Sequence, residues 1–118
     1  MLVHVITDNH LHIRSREELA SEVESSVQAA LRRFAPQITR VEVHLSDENA
    51  QKGGGKDKKC TVEARVAGLQ AIAATNIGAS LDQAIHGALE KLVAQLEHKL
   101  GRLSERKGRA PMGDEPAD

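Results

Sequence analysis

Two stretches in the middle of the chain alternate between apolar and polar residues, TRVEVHLS at residues 39–46 and KCTVEARVA at residues 59–67. Alternation with a period of two places successive side chains on opposite faces of a strand, so each stretch predicts a strand with one buried face. The polar segment between them, residues 47–58, contains three consecutive glycines and predicts a long hairpin loop rather than a tight turn.

Two weaker strands flank this pair. Residues 2–7 (LVHVIT) are rich in β-branched types, and residues 70–76 (QAIAATN) follow the turn at Gly68-Leu69. Since β-branched residues favour extended backbone, we expect four strands in all.

Two helices are predicted from capping boxes followed by apolar stripes. The first begins after Ser15, has Glu18 three residues later and is stopped by Pro36. The second begins after Ser80, has Gln83 three residues later and is expected to run to about Leu103. The stripe of the first helix consists of Leu19, Val23, Val27, Ala30, Leu31 and Phe34, and that of the second of Leu81, Ile85, Ala88, Leu92, Leu96, Leu100 and Leu103.

The resulting order, β-α-β-β-β-α, predicts an α+β fold: a four-stranded mixed sheet with both helices packed on one face and the other face in water. A chain of 118 residues is the size of one domain. We expect this domain to span residues 1–103. The charged, Gly- and Pro-containing residues 104–118 are expected to form a flexible tail.

The composition excludes several classes of protein. No apolar run is long enough to cross a membrane, and the N-terminus has no basic leader. The single cysteine, Cys60, cannot form an internal disulfide, which favours the reducing cytoplasm. The six histidines show no spacing typical of a metal site, and no nucleophile can be paired with a base, so we expect neither a metal site nor catalysis.

Charge is unevenly distributed although the formal net charge is only −1. Lysine and arginine are concentrated in residues 52–65 and 99–109. On a helical projection of the second helix, Lys99, Arg102 and Arg106 fall within about 80° of Lys91. Glu90 and Glu97 fall on the opposite flank of the apolar stripe. A solvated surface with chance segregation is one explanation of this pattern. Phosphate binding is the other and is favoured, because a cationic flank of this kind is suited to RNA phosphates.

Aromatic residues are almost absent, since the chain has no Trp or Tyr and a single Phe. Phe34 lies in the apolar stripe of the first helix and is expected in the core. Proteins that read single-stranded RNA stack bases on exposed rings. Any RNA binding by this chain is therefore expected to rely on backbone and shape.

Several segments resemble the hibernation-promoting-factor and ribosome-associated-inhibitor family, in particular its short members. They are RVEVHLSDEN at residues 40–49, GGKDKKC at 54–60, EAR at 63–65, GLQ at 68–70 and LDQAI at 81–85, followed by Lys91, Leu92 and Leu96.

This resemblance implies a β-α-β-β-β-α domain, similar in shape to double-stranded-RNA-binding domains, that binds the small ribosomal subunit and its rRNA and silences translation under stress. It implies no cofactor. The chain lacks the C-terminal dimerisation domain of long members, so we do not expect it to link two ribosomes by itself. We expect a monomer with no small-molecule substrate. Members touch rRNA through basic residues at positions matching Arg33 and Lys91, whereas Ala94 stands where a basic residue is common. With the cations singled out above, the candidate RNA-binding residues are Arg33, Lys56, Lys58, Lys59, Arg65, Lys91, His98, Lys99, Arg102 and Arg106.

Two alternatives remain open from the residues alone. The same fold can act as a free module for structured RNA, or as a protein-interaction domain that docks a partner on the acidic flank or on the open sheet face.

Overall fold

The structure, a computed structural model, describes residues 1–8, 15–48 and 57–109, with side chains as far as Gly101. Its elements follow the predicted order, with one short 3-10 helix added. They are β1 (Leu2–Thr7), α1 (Arg16–Ala30), a 3-10 helix (Arg32–Gln37), β2 (Ile38–Asp47), β3 (Lys58–Val66), β4 (Ile72–Gly78) and α2 (Leu81–Arg109).

The four strands form one mixed sheet in the order β1-β2-β3-β4. β1 pairs with β2 in parallel, as expected for two strands joined by a helical crossover. The other two pairings are antiparallel. The predicted α+β class and the mixed sheet are confirmed.

Both helices pack on the same face of the sheet, and the apolar sides of the alternating strands meet them there. Val41, Val43 and Leu45 of β2 are buried, and so are Cys60 and Val62 of β3. The polar residues between them point to the opposite face, called the open face below. The helices contribute Val23, Val27, Ala84, Ile85, Ala88, Leu89, Leu92 and Leu96 to the same core, and Leu31, at the end of α1, joins them.

Both capping serines act as predicted. The Ser15 hydroxyl accepts a hydrogen bond from the Glu18 backbone N–H (3.2 Å), and the Ser80 hydroxyl accepts one from the Gln83 N–H (3.2 Å). In a capping box the Gln83 side chain would accept a hydrogen bond from the N–H of Ser80. Here its Oε1 accepts instead from the N–H of Ala79, one residue earlier (3.0 Å).

The first helix ends earlier than its apolar stripe indicates. The α-helix stops at Ala30, and a 3-10 helix containing Pro36 follows. Proline in an α-helix lacks the N–H donor and its ring clashes with the carbonyl four residues earlier, so the tighter helix accommodates it. Phe34, on this 3-10 helix, is buried as predicted.

The second helix is longer than predicted. It reaches Arg109 rather than Leu103, and ends two residues before Pro111. The polar residues after Leu103 are compatible with a helix, although they do not continue its apolar stripe. β4 likewise begins and ends two residues later than predicted, at Ile72 and Gly78.

Candidate nucleic-acid interface

Helix α2 runs antiparallel to β4, along the outer edge of the sheet. At its first turns, Asn76 Nδ2 of β4 donates a hydrogen bond to the carbonyl of Gln83 (3.1 Å). Further along, Gln95 Nε2 donates to the carbonyl of Ala73 near the other end of the strand (2.8 Å). The helix continues from there to Arg109, a distance of about 20 Å at 1.5 Å per residue. Its basic C-terminal part therefore extends beyond the sheet.

Lys91 lies on the β4 flank of α2, where its ammonium donates to the carbonyl of Thr75 (3.1 Å). β4 has no neighbouring strand on this side. The bonds from Lys91 and Gln95 thus occupy part of an unpaired strand edge, which would otherwise attract another strand. An ammonium has three donors. The exposed Lys91 ammonium is therefore held beside the sheet with further N–H groups directed to solvent.

Two carboxylates of α2, those of Glu90 and Glu97, lie on its opposite flank, towards α1. Glu97 forms an ion pair with Arg33 of the 3-10 helix. Glu90 lines a groove between the two helices. The structure thus places Lys91 on the opposite flank from Glu90 and Glu97, as the helical projection predicts.

Arg33 belongs to the acidic flank rather than to the flank of Lys91. Besides its ion pair with Glu97, its guanidinium lies 4.8 Å from the centre of the Phe34 ring. Both partners of the ion pair are more than half exposed, so the pair contributes little stability.

The basic residues of β3 are divided between the two ends of the strand. Lys58 and Lys59 stand at its start and Arg65 near its end, about 20 Å apart at 3.3 Å per residue. Lys58 Nζ contacts Asp47 Oδ2 at 3.0 Å, and the Asp47 side chain is only 5% exposed. Lys58 therefore stabilises the hairpin by compensating a nearly buried carboxylate. Lys59 lies half-buried on the open face, and Lys56 lies outside the described residues.

Five cations gather where β2 begins and β3 ends, and we call this region the basic end. Arg40 on β2 pairs with Arg65 on β3, and the chain enters β2 from the 3-10 helix. The overhanging part of α2 passes this end and carries Lys99. Arg32, Arg65 and Lys99 have no carboxylate partner among the described residues. The basic end consists of Arg32, Arg33, Arg40, Arg65 and Lys99, and it also holds Glu42 and Glu97, which form ion pairs with Arg40 and Arg33.

Carboxylates gather at the opposite end of the sheet. At this end β1, β2 and β4 end, β3 begins and both helices begin. The strand register shows this, because Lys58 pairs with Asp47 of β2 on one side and with Gly78 of β4 on the other. Three described cations, Arg16, Lys58 and Lys59, share this acidic end with seven carboxylates, which are Asp8, Glu17, Glu18, Asp47, Glu48, Asp57 and Asp82. The candidate residues predicted from the sequence therefore do not form a single surface.

Arg32 and Arg40 are members of the basic end that sequence reasoning missed. The alternation of β2 indicates that Arg40 points to the open face, but only the strand register shows that it lies beside Arg65. Arg40 contacts Glu42 across 2.6 Å, and its Nε is buried with no hydrogen-bond partner.

The remaining candidates belong to the overhanging helix. His98 and Lys99 are exposed, while Arg102 and Arg106 lie on α2 beyond the last described side chain. The helix therefore carries all four.

Cys60 and the histidines do not form a reactive centre in the described part of the chain. Cys60 is fully buried, and burial raises the pKa of its thiol from 9.0 to about 12. Its nucleophilic thiolate is therefore scarce at neutral pH. Among the described residues, no three His, Cys, Asp or Glu side chains are grouped as a metal site requires, and no helix is long and apolar enough to cross a membrane.

Comparison with known families gives one match over most of the chain. The model of the family described as sigma 54 modulation protein / S30EA ribosomal protein matches residues 5–104. A search of curated protein sequences gives no significant match.

Solved structures with a similar fold include two bacterial proteins. A ribosomal subunit interface protein from Coxiella burnetii matches with a TM-score of 0.64 and 13% identity, over 86% of this chain and 99% of that one. The N-terminal domain of Protein Y from Thermus thermophilus matches with a TM-score of 0.64 and 17% identity, over 84% and 99%. At these identities the matches establish the shared fold.

Proposed function

Since this chain belongs to the sigma 54 modulation protein / S30EA ribosomal protein family, we propose that it binds the small ribosomal subunit through phosphates of the rRNA and silences translation. A similar fold in a ribosomal subunit interface protein supports a site on the ribosome. The cytoplasm is the corresponding location, and a monomer is the expected binding form.

The observation that carries this proposal is the position of the cations around α2. Lys91 follows the β4 edge, and Lys99 extends beyond the sheet together with the helical segment that bears Arg102 and Arg106. The basic end lies beside the same segment. A projecting helix with cations on one flank and a basic surface at its base is suited to the phosphates and 2′-hydroxyls of folded RNA.

The scarcity of aromatic residues supports recognition by backbone and shape. The whole chain has one aromatic residue, Phe34, and it is only 8% exposed. Base stacking needs an accessible ring. Contacts with phosphate and sugar remain, and these depend steeply on salt because bound counterions are released.

The division of charge also orients the protein on its target. Phosphates attract the basic end and repel the acidic end, so the protein is expected to bind with its basic end towards the RNA and its acidic end away from it. Lys58 then serves the stability of the hairpin, and we propose that Arg65, Lys91 and Lys99 contribute more to binding than Lys58 does. We also propose that the protein acts by occupying its site and not by catalysis, in keeping with a ribosome-associated family.

Co-sedimentation with small subunits across a salt series tests this proposal. The variant Lys91→Glu/Lys99→Glu is expected to bind at least tenfold more weakly. Its plot of log affinity against log salt should be less steep by about one to two, since each lost phosphate contact removes close to one unit of slope.

The matched control is Arg16→Glu, which changes the net charge at the acidic end by the same amount as Lys99→Glu alone does at the basic end. Equal losses in these two single variants would show that only net charge matters and would refute the assigned surface. A short RNA duplex that binds as tightly as the subunit would favour a free structured-RNA module instead.

A further inference from the structure

A groove runs between α1 and α2 on the side of the molecule away from the sheet. Its volume is about 470 Å³. Its walls come from both helices. The groove is lined by Ser26, Ala30, His86, Leu89, Glu90 and Val93.

The floor of the groove is apolar. Leu89 is 4% exposed and belongs to the core, while Ala30 and Val93 are half-buried against it. These three side chains leave an apolar surface that water contacts on one side only. Burying such a surface against another apolar side chain is favourable.

The rim of the groove is negative. A small cavity adjoins it, shares Ser26 and His86 with it, and adds the carboxylates Glu22 and Asp82 to that of Glu90. Neither cavity is lined by a lysine or arginine. Within the described residues, none of these three carboxylates forms an ion pair. Their charges are therefore available to an outside partner.

We propose that this groove binds a short basic segment of a partner protein. An apolar side chain of the segment occupies the floor formed by Ala30, Leu89 and Val93. Flanking lysine or arginine side chains contact Glu22, Asp82 and Glu90. This charge complementarity identifies the partner, because an RNA strand in the groove would bring its phosphates against three uncompensated carboxylates.

The groove lies on the opposite flank of α2 from Lys91. A partner segment seated there leaves the β4 flank and the basic end accessible, so RNA and a basic protein segment can be bound at once. This surface adds a second binding partner to the proposed ribosomal one and does not depend on it.

Fluorescence anisotropy with the full chain and a labelled pentapeptide, Lys-Arg-Leu-Lys-Arg, tests the proposal at low salt. The peptide is expected to bind, and the variant Glu22→Gln/Glu90→Gln to weaken it about fivefold to tenfold through the loss of two exposed charge contacts. A peptide with serine in place of leucine is expected to bind several times more weakly.

A second variant, Val93→Glu, separates the groove from general attraction between charges. It adds a negative charge but removes part of the apolar floor, so we expect weaker binding, with circular dichroism confirming the fold. Stronger binding to this variant, equal binding of the serine peptide, or no effect of Glu22→Gln/Glu90→Gln would overturn the proposal.

Self-association of the chain that is lost with Glu22→Gln/Glu90→Gln would also overturn it, by identifying a second copy as the occupant. The assay contains no ribosome, so its failure leaves the ribosomal proposal intact.

Discussion

Replacement of Gly87 by alanine tests how α2 is positioned against β4. A Cβ at Gly87 would overlap the side-chain amide of Asn76. That amide donates hydrogen bonds to the carbonyls of Gln83 (3.1 Å) and Ala84 (3.5 Å). The missing side chain of Gly87 therefore leaves the space that the Asn76 amide occupies. From there Asn76 bonds β4 to α2, the helix that carries Lys91.

Two effects of opposite sign determine the outcome of Gly87→Ala. Alanine in place of glycine in a helix interior stabilises by about 1 kcal/mol. Displacing Asn76 loses one good hydrogen bond, worth about 1 kcal/mol, and forces a repacking that typically costs about 1–3 kcal/mol. The repacking dominates, so Gly87→Ala is expected to lower the free energy of unfolding by about 1–3 kcal/mol.

Urea denaturation followed by circular dichroism measures this change, and Gly101→Ala is the matched control in the same helix. A Cβ at Gly101 meets nothing within 4 Å, so this variant should be more stable by about 0.5–1 kcal/mol. The double variant Gly87→Ala/Asn76→Ala should recover part of the loss, because the displaced amide is absent. If Gly87→Ala is as stable as Gly101→Ala, the assigned contact is wrong.

Three further outcomes follow from contacts elsewhere in the fold. Burial raises the pKa of the Cys60 thiol from 9.0 to about 12, so the folded state binds this proton more tightly than the unfolded state does. The free energy of unfolding should therefore fall as pH rises above 9.0, and Cys60→Ala should remove this part of its pH dependence. Fast thiol labelling of the native chain at neutral pH would contradict this. Lys58→Met leaves the nearly buried Asp47 carboxylate without its lysine, and urea denaturation should show a loss of about 1–3 kcal/mol. The variant Lys91→Ala/Gln95→Ala uncovers two carbonyls of the β4 edge. Analytical ultracentrifugation should then show self-association that rises with concentration. If the variant associates no more than the parent chain, these two side chains do not protect the edge.

Local sequence determined the elements of this protein and their order. The alternation at residues 39–46 and 59–67 specified two half-buried strands, since the period of two follows from strand geometry alone. Ser15 and Ser80 marked the beginnings of both helices because a capping hydroxyl satisfies an N–H within its own turn. The same periodicity placed Lys91 on the opposite flank of α2 from Glu97. Each of these features depends on residues a few positions apart.

Where helices end was less predictable from the sequence. Pro36 marked the end of the first helical segment, but its spacing from Ser15 did not show that the α-helix changes to a 3-10 helix after Ala30. The second helix continues past Leu103, the last residue of its apolar stripe, as far as Arg109. The apolar periodicity of a sequence shows which helical residues pack on the core. It does not show where the helical backbone ends, which also depends on the helix propensity of the residues beyond the apolar stripe.

Tertiary structure alone decided how the charges are grouped. The register between β2 and β3 brought Arg40 beside Arg65 and set both about 20 Å from Lys58. The approach of α1 to α2 created the groove with its acidic rim, and the packing of α2 on β4 gave Lys91 its carbonyl partner. These relations join residues far apart in the chain, and they follow from which apolar faces meet in the core. The sequence therefore shows that the chain has basic and acidic segments, and only the folded sheet decides which of them face the same partner.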